Sequence, residues 1–172
     1  MLDYFSRERI INEREIASGK LTMAQIKPDN EVLEIAISRE IEAHNFFLAL
    51  AERLDNPQLC KMLEELAAEE LEHKAKLEME LIKNGIVVDA SKKCNFQASD
   101  YVISSEEIIK LDQKDLLEIC IQKEDASMRF YAEMLPHAQD NSTKETLLAI
   151  IEEEIKHKLR FEAEYEKLIK KP

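Results

Sequence analysis

Three observations predict an all-α chain folded as a four-helix bundle. The 172 residues are 35% charged, with two Gly, four Pro and no Trp, a balance that favours long helices over sheet. Apolar residues recur at helical spacing in successive long segments. Residues 31–84 also align without a gap onto 115–168, matching Glu34 to Glu118, Ile35 to Ile119, Ile37 to Ile121, Phe46 to Phe130, Leu63 to Leu147 and Lys74 to Lys158. The expected architecture is a helical hairpin used twice and joined by a long crossover. It forms one bundle domain over residues 28–172, preceded by an N-terminal helical arm over residues 1–27.

Punctuation in the sequence sets the elements. Pro28-Asp29-Asn30 reads as a turn and cap before a first helix from about Glu31 to Leu54, with Ile35, Ala36, Ile37, Ala43, Phe47 and Ala51 on its apolar side. Asp55-Asn56-Pro57 ends that helix, and Asn56 suits the cap of the next with Pro57 in its first turn. The second helix runs to about Asn84, where Gly85 fits a left-handed stop. Residues 86 to about 111 are too long for a hairpin loop and carry a short helix after the capping box Ser104-x-x-Glu107. Asp112 caps a third helix reaching Leu135, Pro136 breaks it, and the capping box Ser142-x-x-Glu145 opens a fourth that runs nearly to the carboxyl end. Tyr4, Phe5, Ile10, Ile11 and Ile16 give the N-terminal arm a patchy apolar face that packs on the bundle or on a second subunit.

Charge and cysteine usage narrow the function classes. A net charge of −12 without a basic stripe argues against nucleic acid and against an anionic membrane surface. Cys60, Cys94 and Cys120 are odd in number, widely spaced and lack a Cys-x-x-Cys, so neither a disulfide framework nor a zinc or rubredoxin-type knuckle is expected. No basic segment leads into an apolar run at the start, and no stretch approaches the roughly 20 apolar residues of a membrane span. The expectation is a cytoplasmic protein.

Chemistry enters through one pattern. Glu40, Glu70 and His73 recur as Glu124, Glu154 and His157, each 84 residues on (40 to 124, 70 to 154, 73 to 157). Each half holds a lone Glu among apolar neighbours and then, thirty residues later, a Glu-x-x-His. At ~100° per residue, the Glu and His of such a pair lie on one helical face about a turn apart, so both reach one ion. Glu40 and Glu124 lie on the apolar sides of their helices, beside Ala36, Ile37, Ala43 and Phe47 in one case and Cys120, Ile121, Ser127 and Tyr131 in the other. Four unpaired carboxylates buried together would cost several kcal/mol each or take up protons. Two divalent cations cancel that charge, and neutral imidazoles complete a mixed oxygen and nitrogen set. The same donor set occurs in ferritin-like dimetal carboxylate bundles. Glu69, Glu72, Glu152 and Glu153 flank the motifs but point to other faces, so they are excluded as ligands and read as solvated or outer groups.

The first half, Glu40-x-x-Ala43-x-x-Phe46-Phe47 followed by Leu66-Ala67-Ala68-Glu69-Glu70-Leu71-Glu72-His73, resembles the signature of the rubrerythrin branch of the ferritin-like superfamily. Glu124 to Tyr131 with Glu152 to His157 resembles its second half. The resemblance covers about residues 31–168 and implies a non-haem di-iron site with two iron ions per chain, a site that manganese or zinc also fits. Glu70 and Glu154 would bridge, Glu40 and Glu124 would be terminal, and His73 and His157 would each complete one ion. It further implies reduction of hydrogen peroxide or oxygen, an oxidative-stress role. Rubrerythrins proper add a rubredoxin-like domain with paired Cys-x-x-Cys, which this sequence lacks, so an external electron-donor protein is expected. They also carry an extra Glu where this chain has Ser127, which favours a plain six-ligand site.

His44, one turn after Glu40, reads as an edge histidine because its counterpart is Met128. Cys120 reads as a small buried residue matching Ala36, with a redox thiol beside the ions as the other reading, and Tyr131 as a core aromatic matching Phe47, with a hydrogen bond or an electron donated near the site as the other. Besides the peroxide- or oxygen-consuming oxidoreductase, two other classes fit: iron oxidation and storage in a cage, and a bundle whose ions are structural. The expected assembly is a homodimer.

Overall fold

A computed structural model of the chain describes residues 28–88 and 112–170. Among these residues lie four long helices, α1 (Pro28–Ala51), α2 (Pro57–Lys83), α3 (Gln113–Met134) and α4 (Asn141–Ile169), with one 3-10 turn at Leu135–His137. The N-terminal arm, most of the crossover with Ser104 and Glu107, and Cys94 lie outside the described residues.

Local chemistry accounts for most helix ends. The Asn56 side chain accepts hydrogen bonds from the backbone N–H of Gln58 and Leu59, with Pro57 at the first position of α2. Gly85 follows α2 with φ +82°, the left-handed conformation that a residue without a Cβ adopts at little cost. At α3, the Asp112 side chain accepts from Lys114 and Asp115 N–H while Asp115 reaches back to the Asp112 N–H.

Three expected boundaries move. Asp29 and Asn30 belong to α1 rather than to a turn. Their buried side chains are used between elements: Asp29 Oδ1 accepts from Gln139 N at 2.6 Å and Asp140 N at 3.2 Å, and Asn84 Nδ2 donates to Asn30 Oδ1. α1 stops at Ala51, short of Leu54, because Arg53 N bonds Leu50 O and Leu54 N bonds Ala51 O, a tightening that ends the α ladder. α4 is capped by Asp140, which accepts from Thr143 N, so Ser142 is helical and not a cap. Ser142 Oγ instead donates to Glu80 of α2 at 2.8 Å.

α1 and α2 form one antiparallel hairpin, α3 and α4 the other, and the helices lie closer within a hairpin than between hairpins. Cross-links between α2 and α4 run in opposite order along the two helices, Glu69 to His157, His73 to Glu153 and Glu80 to Thr146, so these helices are antiparallel. Two apolar clusters fill the interior. One, around Phe47, Leu50, Leu63, Leu66, Leu117 and Phe161, lies toward the α1–α2 turn; the other, around Leu33, Leu77, Tyr131, Leu147 and Ile150, lies toward the α3–α4 turn. Among the described residues, no helix is long and apolar enough to cross a membrane.

Asp29 ties the first turn of α1 to the cap of α4 through two hydrogen bonds to a buried carboxylate. Asp29→Ala should lower unfolding free energy by about 2 kcal/mol in urea denaturation; a loss below a few tenths would show that the link carries no stability.

Candidate metal centre

The six predicted side chains meet between the two apolar clusters. Each is at most 2% exposed. Donor atoms of Glu40, Glu70, His73 and Glu154 lie within 4.8 Å of one another, and so do those of Glu70, Glu124, Glu154 and His157. Glu70 and Glu154 belong to both groups, and each group draws on both hairpins. The His73 and His157 rings stack with centroids 5.5 Å apart and planes inclined by 17°.

Electrostatics follows from crowding. Burial pushes the carboxyls of Glu40 and Glu124 well above the usual range, reinforced by the neighbouring Glu70 and Glu154. Burial also acts on the two shared carboxyls, but the close approach of His157 and His73 outweighs it at Glu70, and that of Glu124, His157 and His73 outweighs it at Glu154, so both are held low. The imidazoles respond inversely. Burial opposes their protonation, yet Glu154, Glu40 and Glu70 raise His73 to about 12, and Glu154 and Glu70 raise His157 to about 9.

A second layer holds the rings. His73 Nε2 donates to Glu153 at 2.7 Å, and His157 Nε2 donates to Glu69 at the same distance, each reaching the opposite hairpin. Because a carboxylate only accepts, both Nε2 atoms carry hydrogen and both Nδ1 atoms face the cluster. Lys76 Nζ grips Glu153 at 2.5 Å and Arg160 Nη1 grips Glu69 at 2.9 Å. Glu69, Glu72, His73, Glu153, Lys156, His157 and Arg160 line a cleft of about 290 Å³ between α2 and α4 that opens on the imidazole side.

A rubrerythrin family model matches residues 31–165. The chain belongs to the rubrerythrin family. Its fold is similar to that of a hypothetical protein from Pyrococcus furiosus (TM-score 0.61, 25% identity, covering 86% of this chain and 94% of that one). A protein from Thermotoga maritima described as a ferritin-like diiron-carboxylate protein shares the fold (TM-score 0.61, 23% identity, 80% and 94% covered). So does KatB, a manganese catalase from Anabaena PCC7120 (TM-score 0.62, 15% identity, 83% and 74% covered). No curated protein sequence matches the chain.

Within this rubrerythrin-family bundle, the residues set aside from the sequence sort in different ways. Glu69 and Glu153 are the outer groups of the site, whereas Glu72 and Glu152 are exposed. His44 is half-buried and donates from Nδ1 to the Ala67 carbonyl at 2.7 Å, pinned to α2 and away from the cluster. Cys120 packs in the apolar cluster, and burial, with the charge of Glu124, pushes its thiol far up. Tyr131 is a core aromatic, wholly buried in the cluster near the α3–α4 turn, and its hydroxyl also donates to Glu40 Oε1, as the other reading of it had it. Lys76 and Arg160 were missed, although they occupy equivalent places in the two halves and so carried the same 84-residue signal as the acids (76 to 160).

The metal-free protein should lose stability as pH rises. A histidine with a raised folded value contributes fully below its unfolded value near 6.5, and that contribution is gone once pH passes the folded value, about 9 for His157. His73 extends the decline toward about 12, and the raised Glu40 and Glu124 act in the same direction. Thermal melts of chelator-treated protein should therefore fall steadily from pH 6.5 to 9. A flat profile across that window would show that the imidazoles are not held protonated.

Proposed function

We propose that this chain is a non-haem di-iron oxidoreductase that reduces hydrogen peroxide or oxygen with electrons from a separate donor protein. The observation that carries the reading is the pair of buried four-donor groups sharing Glu70 and Glu154. Two divalent ions match four carboxylates in charge. The donors also fit: Glu70 Oε1, Glu124 Oε1, both Glu154 oxygens and His157 Nδ1 are buried without a hydrogen-bond partner, a costly state that cation ligation relieves.

In this reading Glu40 and His73 would hold one ion, Glu124 and His157 the other, and Glu70 and Glu154 would be available to both. Iron, when bound, would supply one-electron redox chemistry at each position, so that two electrons from the donor and two protons from solvent would reduce one peroxide to water. The protein's own groups do the rest. Glu153 and Glu69 fix each imidazole with Nε2 protonated, so that Nδ1 offers its lone pair. Lys76 and Arg160 keep those two carboxylates in place. The cleft between α2 and α4 gives a small solute access from the imidazole side, while the apolar clusters exclude bulk water from the other directions. Imidazole and carboxylate suit iron and manganese alike, so the choice of iron rests on the family. The sequence contains no Cys-x-x-Cys, so the electrons arrive from another chain or domain.

Anaerobic loading should give two ferrous ions per chain, and stoichiometric peroxide should oxidise both within seconds, read as near-ultraviolet ferric absorption. Glu154→Ala should abolish paired occupancy. Two tightly held ions in that variant, or ferrous protein inert to peroxide and oxygen with any reductant, would overturn the assignment. Sustained turnover of ferrous iron by a cage-sized assembly would move it to storage.

Glu69→Ala and Glu153→Ala should each weaken one ion by roughly tenfold to a hundredfold, as loss of a partner to a ligating imidazole does. The Gln variants, which still accept from Nε2–H, should retain most of the affinity in calorimetric titration. Equal losses from Ala and Gln would mean that charge, not imidazole orientation, is the contribution.

A further inference from the structure

The two halves of the centre differ by one buried hydroxyl. Tyr131 and Phe47 are equivalent under the 84-residue repeat (47 to 131), and both are 0% exposed. Each rests edge-on against the phenylalanine before it, Phe46–Phe47 at 5.3 Å and 69°, Phe130–Tyr131 at 5.2 Å and 73°. The rings thus occupy matching places. Tyr131 Oη donates across the hairpin interface to Glu40 Oε1, and Glu40 Oε2 lies 3.3 Å from His73 Nδ1. Phe47 has no group to donate, and Glu124 Oε1 is buried without a hydrogen-bond partner.

We propose that this hydroxyl makes the two ion positions unequal. The position served by Glu124 and His157 takes a divalent cation first and holds it more tightly; the position served by Glu40 and His73 fills second. The inference rests on the dimetal reading above. A carboxylate oxygen that already accepts from a phenol gives less electron density to a cation, and Glu40 has one oxygen so engaged. Glu124 Oε1 accepts no hydrogen bond, so a cation that binds there displaces none, and ligation gains more there.

Other breaks in the symmetry do not cancel this one. Lys123, next to Glu124, is matched by Arg39, next to Glu40, so each half carries a neighbouring cation. His44, whose counterpart is Met128, is bound to the Ala67 carbonyl. Cys120, whose counterpart is Ala36, packs in the apolar cluster with its thiol protonated.

The test is calorimetric titration of chelator-stripped protein with Mn(II) alone, followed in parallel by near-ultraviolet circular dichroism, where the chain has four Tyr and no Trp and the signal of Tyr131 is the part that Tyr131→Phe removes. The wild type should bind two ions in separate steps about tenfold apart or more, with the tyrosine signal responding to the second. Repulsion between neighbouring ions separates the steps even in a symmetric site, so the decisive result is their dependence on the hydroxyl. Tyr131→Phe should strengthen the weaker step and bring the two together. Phe47→Tyr should weaken the tighter step and narrow the gap from the other side; helicity at 222 nm checks the fold of both variants. Steps unchanged in both variants, or a tyrosine signal that responds to the first ion, would overturn the inference and leave the dimetal reading intact. Absence of Mn(II), Fe(II) and Co(II) binding would remove both.

Discussion

Four carboxylates share a buried interior, and the rest of the molecule is arranged around that cost. A charge moved from water into the core is tolerated only with compensating charge and hydrogen bonds. Here the compensation is visible in the protons. Glu40 and Glu124 are pushed toward neutrality by burial, while Glu70 and Glu154 stay charged against their desolvation by drawing on the imidazoles. Divalent ions and protons therefore compete for one set of lone pairs, and cation binding must release protons from His73 and His157.

Duplication turns that requirement into architecture. One hairpin supplies Glu, Glu and His, but no hairpin completes a four-donor group alone, because Glu154 is needed on one side and Glu70 on the other. The same crossing governs the outer layer, where each imidazole is held by an acid of the opposite hairpin and each acid by the cation at Lys76 or Arg160. The site is thus a property of the association of hairpins. Repetition of the acids in sequence is its shadow, and the residues free to differ between copies, such as Tyr131 and Phe47, are where the halves become distinct.

Legibility in the sequence followed the reach of each interaction. The helices, the Asn56 and Asp112 caps, the Gly85 stop and the six inward donors were readable because each depends on spacing within a helix or on the adjacent turn. What failed depended on a partner distant in sequence. Asp29 and Asn30 look like turn formers, yet α4 and α2 recruit their side chains from within a helix. Ser142 completes a capping-box pattern, but Asp140 reaches the N-terminal turn first and Ser142 serves Glu80. Tyr131 is core, as its twin Phe47 suggests, but comparison of the copies could not say which partner its extra hydroxyl meets, because that partner lies on the other hairpin.

The distribution of cross-links around the centre gives the ions a mechanical part as well. At the end near the α3–α4 turn, polar ties join the hairpins: Asp29 to the Gln139 and Asp140 backbone, and Glu80 to Ser142 and Thr146. At the opposite end the hairpins meet mainly through apolar packing around Phe47, Leu117 and Phe161, with the half-exposed Arg160–Glu65 pair at its edge, and the bond from Tyr165 to Glu118 stays within the second hairpin. Non-directional packing resists sliding less than geometry-bound hydrogen bonds do. Between these ends, ions ligated from both hairpins would fix the register of α2 against α4 at mid-length. Metal binding and hairpin alignment are then one equilibrium, and each ligand is oriented by the same association that its ion stabilises.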